Sequence, residues 1–287
     1  MIEKKSDLIV TIQQKFSQLS KGQKLIAQFI LDNYDKAAFM TACKLGETVG
    51  VSESTVVRFA NALGFDGYPK LQRALQELIK TKLTTVQRVE MAKEYSSDWA
   101  ILKKVLKSDI DNIRGTLDEV NVESFENLIN KTLNAKKIYI VGLRSSTAIA
   151  EYLGFYLNLI LDNVQVVSYG ISDVFEQILN VNKDDLVIGI SFPRYSKRTL
   201  ELFKYAKEQG ATLVSLTDSV LSPIAALCDD SIIIKSNMAS FVDSLVAPLS
   251  FANALIVAVG MRRKDEIKKY FDKLEYIWKE YNIYDEK

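Results

Sequence analysis

Two stretches of this sequence gather hydroxyls where a phosphate could be held. VGLRSSTAIA (141–150) places Ser145, Ser146 and Thr147 at the start of a helical pattern. ISFPRYSKRTLE (190–201) places Ser191, Ser196 and Thr199 around Pro193, Arg194 and Tyr195. Hydroxyls beside the free N–H groups of a helix N-terminus form an anion site. The same residues also serve as plain helix caps, so each loop admits both roles.

A third stretch suggests contact with a larger anion. VSESTVVRFANAL (51–63) keeps Ser54, Thr55, Arg58 and Asn61 on one side of a helix and Val56, Phe59, Ala60 and Leu63 on the other. Short donors and acceptors with one guanidinium can reach base edges and phosphates in a DNA major groove. An ordinary surface helix has the same look. Just before it, TACKLGETVG (41–50) reads as a short helix capped by Thr41 and ended by Gly50 in a left-handed turn. Ser52 then caps the second helix. Two short helices around a tight glycine turn predict a helix-turn-helix, with Leu45, Val49, Val51, Val56 and Phe59 between them. The expected DNA-contacting residues are Lys44, Ser52, Ser54, Thr55, Arg58 and Asn61. Gly46 stands where alanine is more usual. Lys21, Lys24, Lys70 and Arg73 could add a local positive patch.

Composition narrows the chemistry. None of the 287 residues is a histidine, and the net charge is +1. Histidine-based triads, histidine-ligated metals and the commonest general acid–base are therefore excluded. DNA binding must rest on a local patch, not on overall charge. Two distant cysteines, Cys43 and Cys228, exclude a disulfide framework and a cysteine zinc site. No cofactor and no metal are expected. The charged N-terminus, MIEKKSDLIV, does not read as a signal peptide. The most apolar run, LVAPLSFANALIVAVG (245–260), is too short for a membrane span and reads as a buried helix. A cytoplasmic protein is expected.

The elements that must position these residues change character along the chain. Residues 1–80 read as helices only, with Leu25, Ile26, Phe29 and Ile30, then Leu71, Ala74, Leu75 and Leu78, at helical spacing. A polar stretch, 81–98, reads as a linker, followed by amphipathic helices over 98–117 and 121–134. Five apolar runs then read as strands: 136–143, 164–169, 185–191, 211–217 and 231–235. Helical patterns separate the first four, which predicts a parallel sheet covered on both faces. Helices over about 242–262 and 263–280 close the chain, and Ser244 suits an N-cap. The fold class expected is an all-α helix-turn-helix domain (1–80), linker helices (81–125) and an α/β domain with a five-stranded parallel sheet (126–287).

LSKGQKLIAQFILDNYDKAAFMTACKLGETVGVSESTVVRFANALGFDGYPKLQRAL (19–75) resembles the N-terminal domain of RpiR-type bacterial transcriptional regulators. VSESTVVRFANALGFDGYPKL is its most specific part. The C-terminal half resembles that family's second domain, a sugar-isomerase-like (SIS) domain. The resemblance implies a DNA-binding regulator of carbohydrate metabolism whose SIS domain binds a sugar phosphate effector. It assigns ligand binding to Ser145, Ser146, Ser191, Ser196 and Thr199, with Arg194 beside them. Double-stranded DNA, read as an inverted repeat by a homodimer or tetramer, is the implied partner. No membrane is expected. The chain departs from the family at both loops. Arg144 replaces the second glycine of Gly-x-Gly-x-Ser, and Phe-Pro-Arg-Tyr replaces a small Ser-Gly pair. Arg194 can grip a carboxylate or phosphate, fill the pocket, or form a structural ion pair. Two alternatives stand beside this reading: a phosphosugar isomerase, and a regulator whose SIS domain only dimerises. SIS isomerases typically use a histidine to open the sugar ring, and this chain has none.

Overall fold

The computed structural model describes residues 8–82, 86, 88–89, 97–238 and 241–284. The chain divides into two compact units, Met1–Glu90 and Met91–Lys287.

The first unit is helical throughout its described residues: α1 (Leu8–Lys15), α2 (Lys21–Asp32), α3 (Tyr34–Ala37), α4 (Ala42–Val49), α5 (Glu53–Ala62) and α6 (Tyr68–Lys82). Its core is the set of side chains that the helical period selects. Ile26 and Ile30 of α2, Leu45 of α4, Val56 and Phe59 of α5, and Leu71 and Leu75 of α6 are all fully buried. Burying each contributes roughly 1.5–3 kcal/mol. Ser20 and Gln23 form a reciprocal capping box at the start of α2. Most of the stretch expected as a linker, 81–98, lies outside the described residues.

The second unit begins with α7 (Asp98–Glu119) and α8 (Val122–Asn134). Five strands follow: β1 (Ile138–Gly142), β2 (Val164–Val167), β3 (Leu186–Ile190), β4 (Thr212–Thr217) and β5 (Asp230–Ile233). Between and after them lie α9 (Thr147–Ile160), α10 (Val174–Gln177), α11 (Lys197–Glu208), α12 (Val246–Arg262) and α13 (Lys264–Glu280). The strands are parallel, in the order β2-β1-β3-β4-β5. β1 and β3 are buried at every position, as strands covered on both faces must be. One core, with Ile140, Leu153, Ile188, Leu255 and Val259, joins one face to α8, α9 and α12. The other, with Tyr139, Val187, Leu202 and Phe203, joins the opposite face to α10 and α11.

Two details differ from expectation here. The helix between β2 and β3 is a single turn, α10. Asp173 and Glu176 cap it reciprocally, and Ile178 follows in non-helical geometry. The rest of that crossing is irregular chain pinned by buried Ile178 and Val181. Ser244 is not the N-cap of α12, because Leu245 takes that position. The Ser244 hydroxyl accepts from the Val246 N–H at 3.4 Å and donates to Asp109 of α7 at 2.6 Å.

That bond belongs to a clasp. Asn112 of α7 donates to the Asn237 carbonyl at 2.8 Å and accepts from the Asn237 N–H at 3.0 Å. Thr116 accepts from the Lys235 N–H at 2.9 Å. The segment after β5 thereby satisfies its backbone groups on side chains of α7, where no further strand is available.

Candidate nucleic-acid interface and ligand pocket

In the first unit, Thr41 caps α4 by accepting from the Lys44 N–H at 3.1 Å. Gly50 ends the helix in the left-handed region, at φ 75°. The chain then turns directly into α5. Gly46 explains how the two helices approach so closely. A Cβ there would lie 2.7 Å from the Val51 carbonyl oxygen. Glycine at 46 is therefore a packing requirement of this particular turn.

The polar residues of α5 are not equivalent. Ser54 and Arg58 are exposed. Arg58 lies back along its own helix, with Nε donating to the Ser54 carbonyl at 3.3 Å and a terminal nitrogen to the Thr55 hydroxyl at 3.4 Å. That holds the guanidinium on the polar face. Thr55 is only half-exposed, and a Cβ added at Gly22 of α2 would lie 3.3 Å from its methyl. Ser52 occupies the N-cap position but makes no capping bond. Its hydroxyl instead bonds the hydroxyls of Ser54 at 3.0 Å and Thr55 at 2.9 Å, which leaves the first N–H groups of α5 without that acceptor. Asn61 uses its side-chain oxygen to accept from the Gly67 N–H at 3.1 Å, tying the end of α5 to the following loop. Lys44 is exposed and 3.4 Å from Glu47, a surface pair of little energetic weight.

Reading α6 for its apolar stripe alone missed the residues that orient this unit. Tyr68 and Gln72 both donate to the Met40 carbonyl at 2.8 Å, and Gln76 donates to the Ala38 carbonyl at 3.1 Å. The four-residue spacing of 68, 72 and 76 was the available signal. Burial pushes the Tyr68 hydroxyl up to about 12, so it remains a donor at neutral pH.

In the second unit, the two hydroxyl loops leave neighbouring strands. β1 and β3 are parallel partners, with Gly142 in register with Ile190. From β1 the chain moves outward to β2, and from β3 it moves to β4 on the other side. The crevice between β1 and β3 is thus the topological switch point, where open parallel sheets bind ligands.

The first loop turns tightly because Gly142 permits it. A Cβ at Gly142 would lie 2.6 Å from the Ser146 carbonyl oxygen and 2.8 Å from the Ala150 Cβ. Ser145 is exposed, whereas Ser146 is 4% exposed at the start of α9. Thr147 donates to the Gly142 carbonyl at 3.0 Å. In the second loop Ser191 is buried, and its carbonyl accepts from Thr217 of β4 at 2.7 Å. Ser196 caps α11 by accepting from the Thr199 N–H at 3.3 Å. Thr199 is fully buried, and its hydroxyl has no partner. A buried hydroxyl left unmatched costs about 1–3 kcal/mol. Tyr195 donates to Asp218 at 2.8 Å. Arg198 holds Asp173 at 2.8 Å, fastening the β2–β3 connection to the start of α11. The Phe175 N–H and then Arg198 hold the Asp173 carboxyl below its usual range. Arg144 and Arg194 are exposed and have left-handed backbones, at φ 60° and 64°.

Among the described residues, no group of histidine, cysteine, aspartate and glutamate could hold a metal. No described helix is long and apolar enough to cross a membrane.

Comparison with known proteins matches both units. The helix-turn-helix domain of the rpiR family matches residues 6–82, and the SIS domain matches residues 132–258. An uncharacterized HTH-type transcriptional regulator of Caldanaerobacter subterraneus subsp. tengcongensis is 24% identical over 275 residues, covering 93% of this chain and 95% of its own length. The sugar isomerase domain of an RpiR transcription factor from Sphaerobacter thermophilus is 26% identical, with a TM-score of 0.58, covering 60% of this chain and 97% of that domain. The Vibrio vulnificus NanR protein, solved with ManNAc-6P, shares the fold at a TM-score of 0.58 and 19% identity, covering 94% of this chain and 97% of that one.

Proposed function

This chain belongs to the RpiR family of transcriptional regulators, a helix-turn-helix domain followed by a SIS domain, and we propose that it binds operator DNA under control of a sugar phosphate. Residues 1–80 form the DNA-binding domain, 81–125 connect, and 126–287 form the sensing domain. Arg58 and Ser54 of α5 read the major groove, with Thr55 and Asn61 positioning them. Ser52, the uncapped start of α5 and Lys44 serve the phosphate backbone. Two copies read an inverted repeat, because a dimer's two-fold symmetry is copied in its operator. Trp99, Leu102, Leu106, Ile110 and Leu117 stand exposed along α7 and support burial against a second copy. A cytoplasmic location follows from the DNA target.

The observation that carries the ligand reading is the topology, with β1 beside β3 and their connections leaving to opposite sides. The register of Gly142 with Ile190 supports reading Ser146 and Ser191, which follow those strands, as parts of one site. Ser145, Ser146, Ser191, Ser196, Thr199 and the N–H groups opening α9 and α11 supply donors for a phosphate. NanR, of the same fold, was solved with ManNAc-6P, which supports a phosphosugar here. To regulate, the ligand must bind one arrangement of the dimer better than another, and tenfold in DNA affinity needs about 1.4 kcal/mol of coupling.

Thermal unfolding against a panel of sugar phosphates, with wild type and Ser146→Ala in parallel, tests the sensing half. A ligand at a hundred times its Kd stabilises its target by about 2.7 kcal/mol. A compound that stabilises wild type and fails with Ser146→Ala is the expected result. Stabilisation that is unchanged in the variant removes Ser146 from the site.

A further inference from the structure

The amino-terminal ends of β1, β2 and β3 meet at the edge of the sheet opposite the crevice, and a cleft of about 560 Å³ opens there. Its walls come from the chain entering each of these strands and from the irregular crossing between β2 and β3. A volume of this size suits a small-molecule ligand. Most such sites are apolar, but this one is not. Val164 and the Tyr139 ring apart, every lining residue is charged or a carboxamide, and two lysines balance two aspartates.

The strand register brings the working groups together. Tyr139 pairs with Gln165 on one side and Val187 on the other, so alternation along the strands puts Lys137, Tyr139, Gln165 and Asp185 on one face. Tyr139 is 1% exposed and Asp185 3%, yet both line the cleft. Asn182 donates twice to one Asp185 oxygen, from its N–H and from its amide, each at 2.9 Å. Among the described residues, the other Asp185 oxygen and the Tyr139 hydroxyl take part in no hydrogen bond. Gln165 donates to the Gln177 carbonyl at 3.1 Å, which leaves its side-chain oxygen to accept. The Lys137 ammonium lies over the Tyr139 ring, 4.7 Å from its centre, and still has N–H bonds to give.

We infer that this cleft binds a neutral polyhydroxylated molecule, a sugar or polyol without a phosphate. A carboxylate oxygen and an amide oxygen accept, a phenol and an ammonium donate, and a sugar hydroxyl does both at once. Asp185, held in place by Asn182, is the strong acceptor, because a hydrogen bond to a charged oxygen outweighs a neutral one. An anion would meet the two aspartates and a cation the two lysines, whereas a neutral ligand meets neither repulsion. The cleft and the crevice lie at opposite edges of the sheet, so either site can stand without the other.

Calorimetry on the full-length protein tests this, with glucose, N-acetylglucosamine, sucrose and mannitol as probes and glutamine as a zwitterionic competitor. Wild type is compared with Tyr139→Phe, which keeps the ring, and with Asp185→Asn, which keeps an oxygen for both Asn182 bonds. Ser146→Ala, at the other edge, reports binding in the crevice. At least one of the neutral compounds should bind saturably. Tyr139→Phe should weaken it about fivefold and Asp185→Asn about tenfold or more, with no change in Ser146→Ala. No binding by any neutral compound, binding that both cleft variants retain, or a preference for glutamine overturns the inference. Loss of binding in Ser146→Ala alone assigns the sugar to the crevice and overturns it as well.

Discussion

Gly46→Ala separates two views of the helix-turn-helix. On helix propensity alone, alanine in place of glycine inside a helix gains roughly 1 kcal/mol. The structure gives the opposite sign. The new Cβ would sit 2.7 Å from the Val51 carbonyl oxygen and 3.4 Å from the Glu53 nitrogen. Carbon–oxygen contacts settle near 3.3 Å or more, so α4 and the turn before α5 must part by about 0.6 Å. The obstacle is backbone and cannot swing aside, because the Val51 N–H is itself bonded to the Gly46 carbonyl at 2.8 Å. Overpacking of this kind costs about 1–3 kcal/mol. Set against the propensity gain, the expected net loss is about 1 kcal/mol. Gly50→Ala is the control. Nothing lies within 4 Å of a Cβ there, and only its φ of 75° opposes alanine. Denaturant unfolding gives the stability change. Hydrogen exchange in α4 and α5 shows where it falls. Gly46→Ala should open both helices together, and Gly50→Ala chiefly the end of α4. A Gly46→Ala protein stabilised by the full propensity gain would refute the close-approach argument.

Arg58→Ala should weaken specific DNA binding by about 1–3 kcal/mol if Arg58 reads a base, whereas an equal loss on all sequences with a salt slope smaller by about one would assign it to a phosphate. Asn112→Ala leaves both backbone groups of Asn237 without their partner and should cost about 1–3 kcal/mol of stability in the second unit, measured by denaturant melts. Leu106→Asp with Ile110→Asp should shift the protein toward monomer in light scattering, and an unchanged mass would remove α7 from the interface. Burial pushes the Cys228 thiol up to about 12, so the unfolded chain loses this proton first as pH rises. The resulting stability is complete below the ordinary thiol range and is lost from there toward about pH 12. Cys228→Ala should therefore flatten the alkaline decline in urea midpoints, and an unaltered slope would refute the assignment.

The sequence by itself determined the order and kind of elements. Helical period in 19–80 and continuous apolar runs after 135 are local properties of the chain, and they became α2–α6 and a parallel sheet because burial selects such patterns. Thr41 and Gly50 were legible for the same reason, since caps and left-handed turns depend on neighbours in the chain. The single turn α10 was not, because irregular chain can be held by scattered buried side chains without any period. What only the tertiary structure decided is how polar groups are spent. Asn61 gives its oxygen to Gly67, Ser244 gives its proton to Asp109, and Thr199 is buried without a partner. A hydrogen bond depends on whatever group arrives in space, 135 residues away for Ser244, and the sequence pattern carries no record of that arrival. The same holds for the crevice. Hydroxyls can be counted along the chain, but only the strand order puts β1, and the loop that follows it, beside β3.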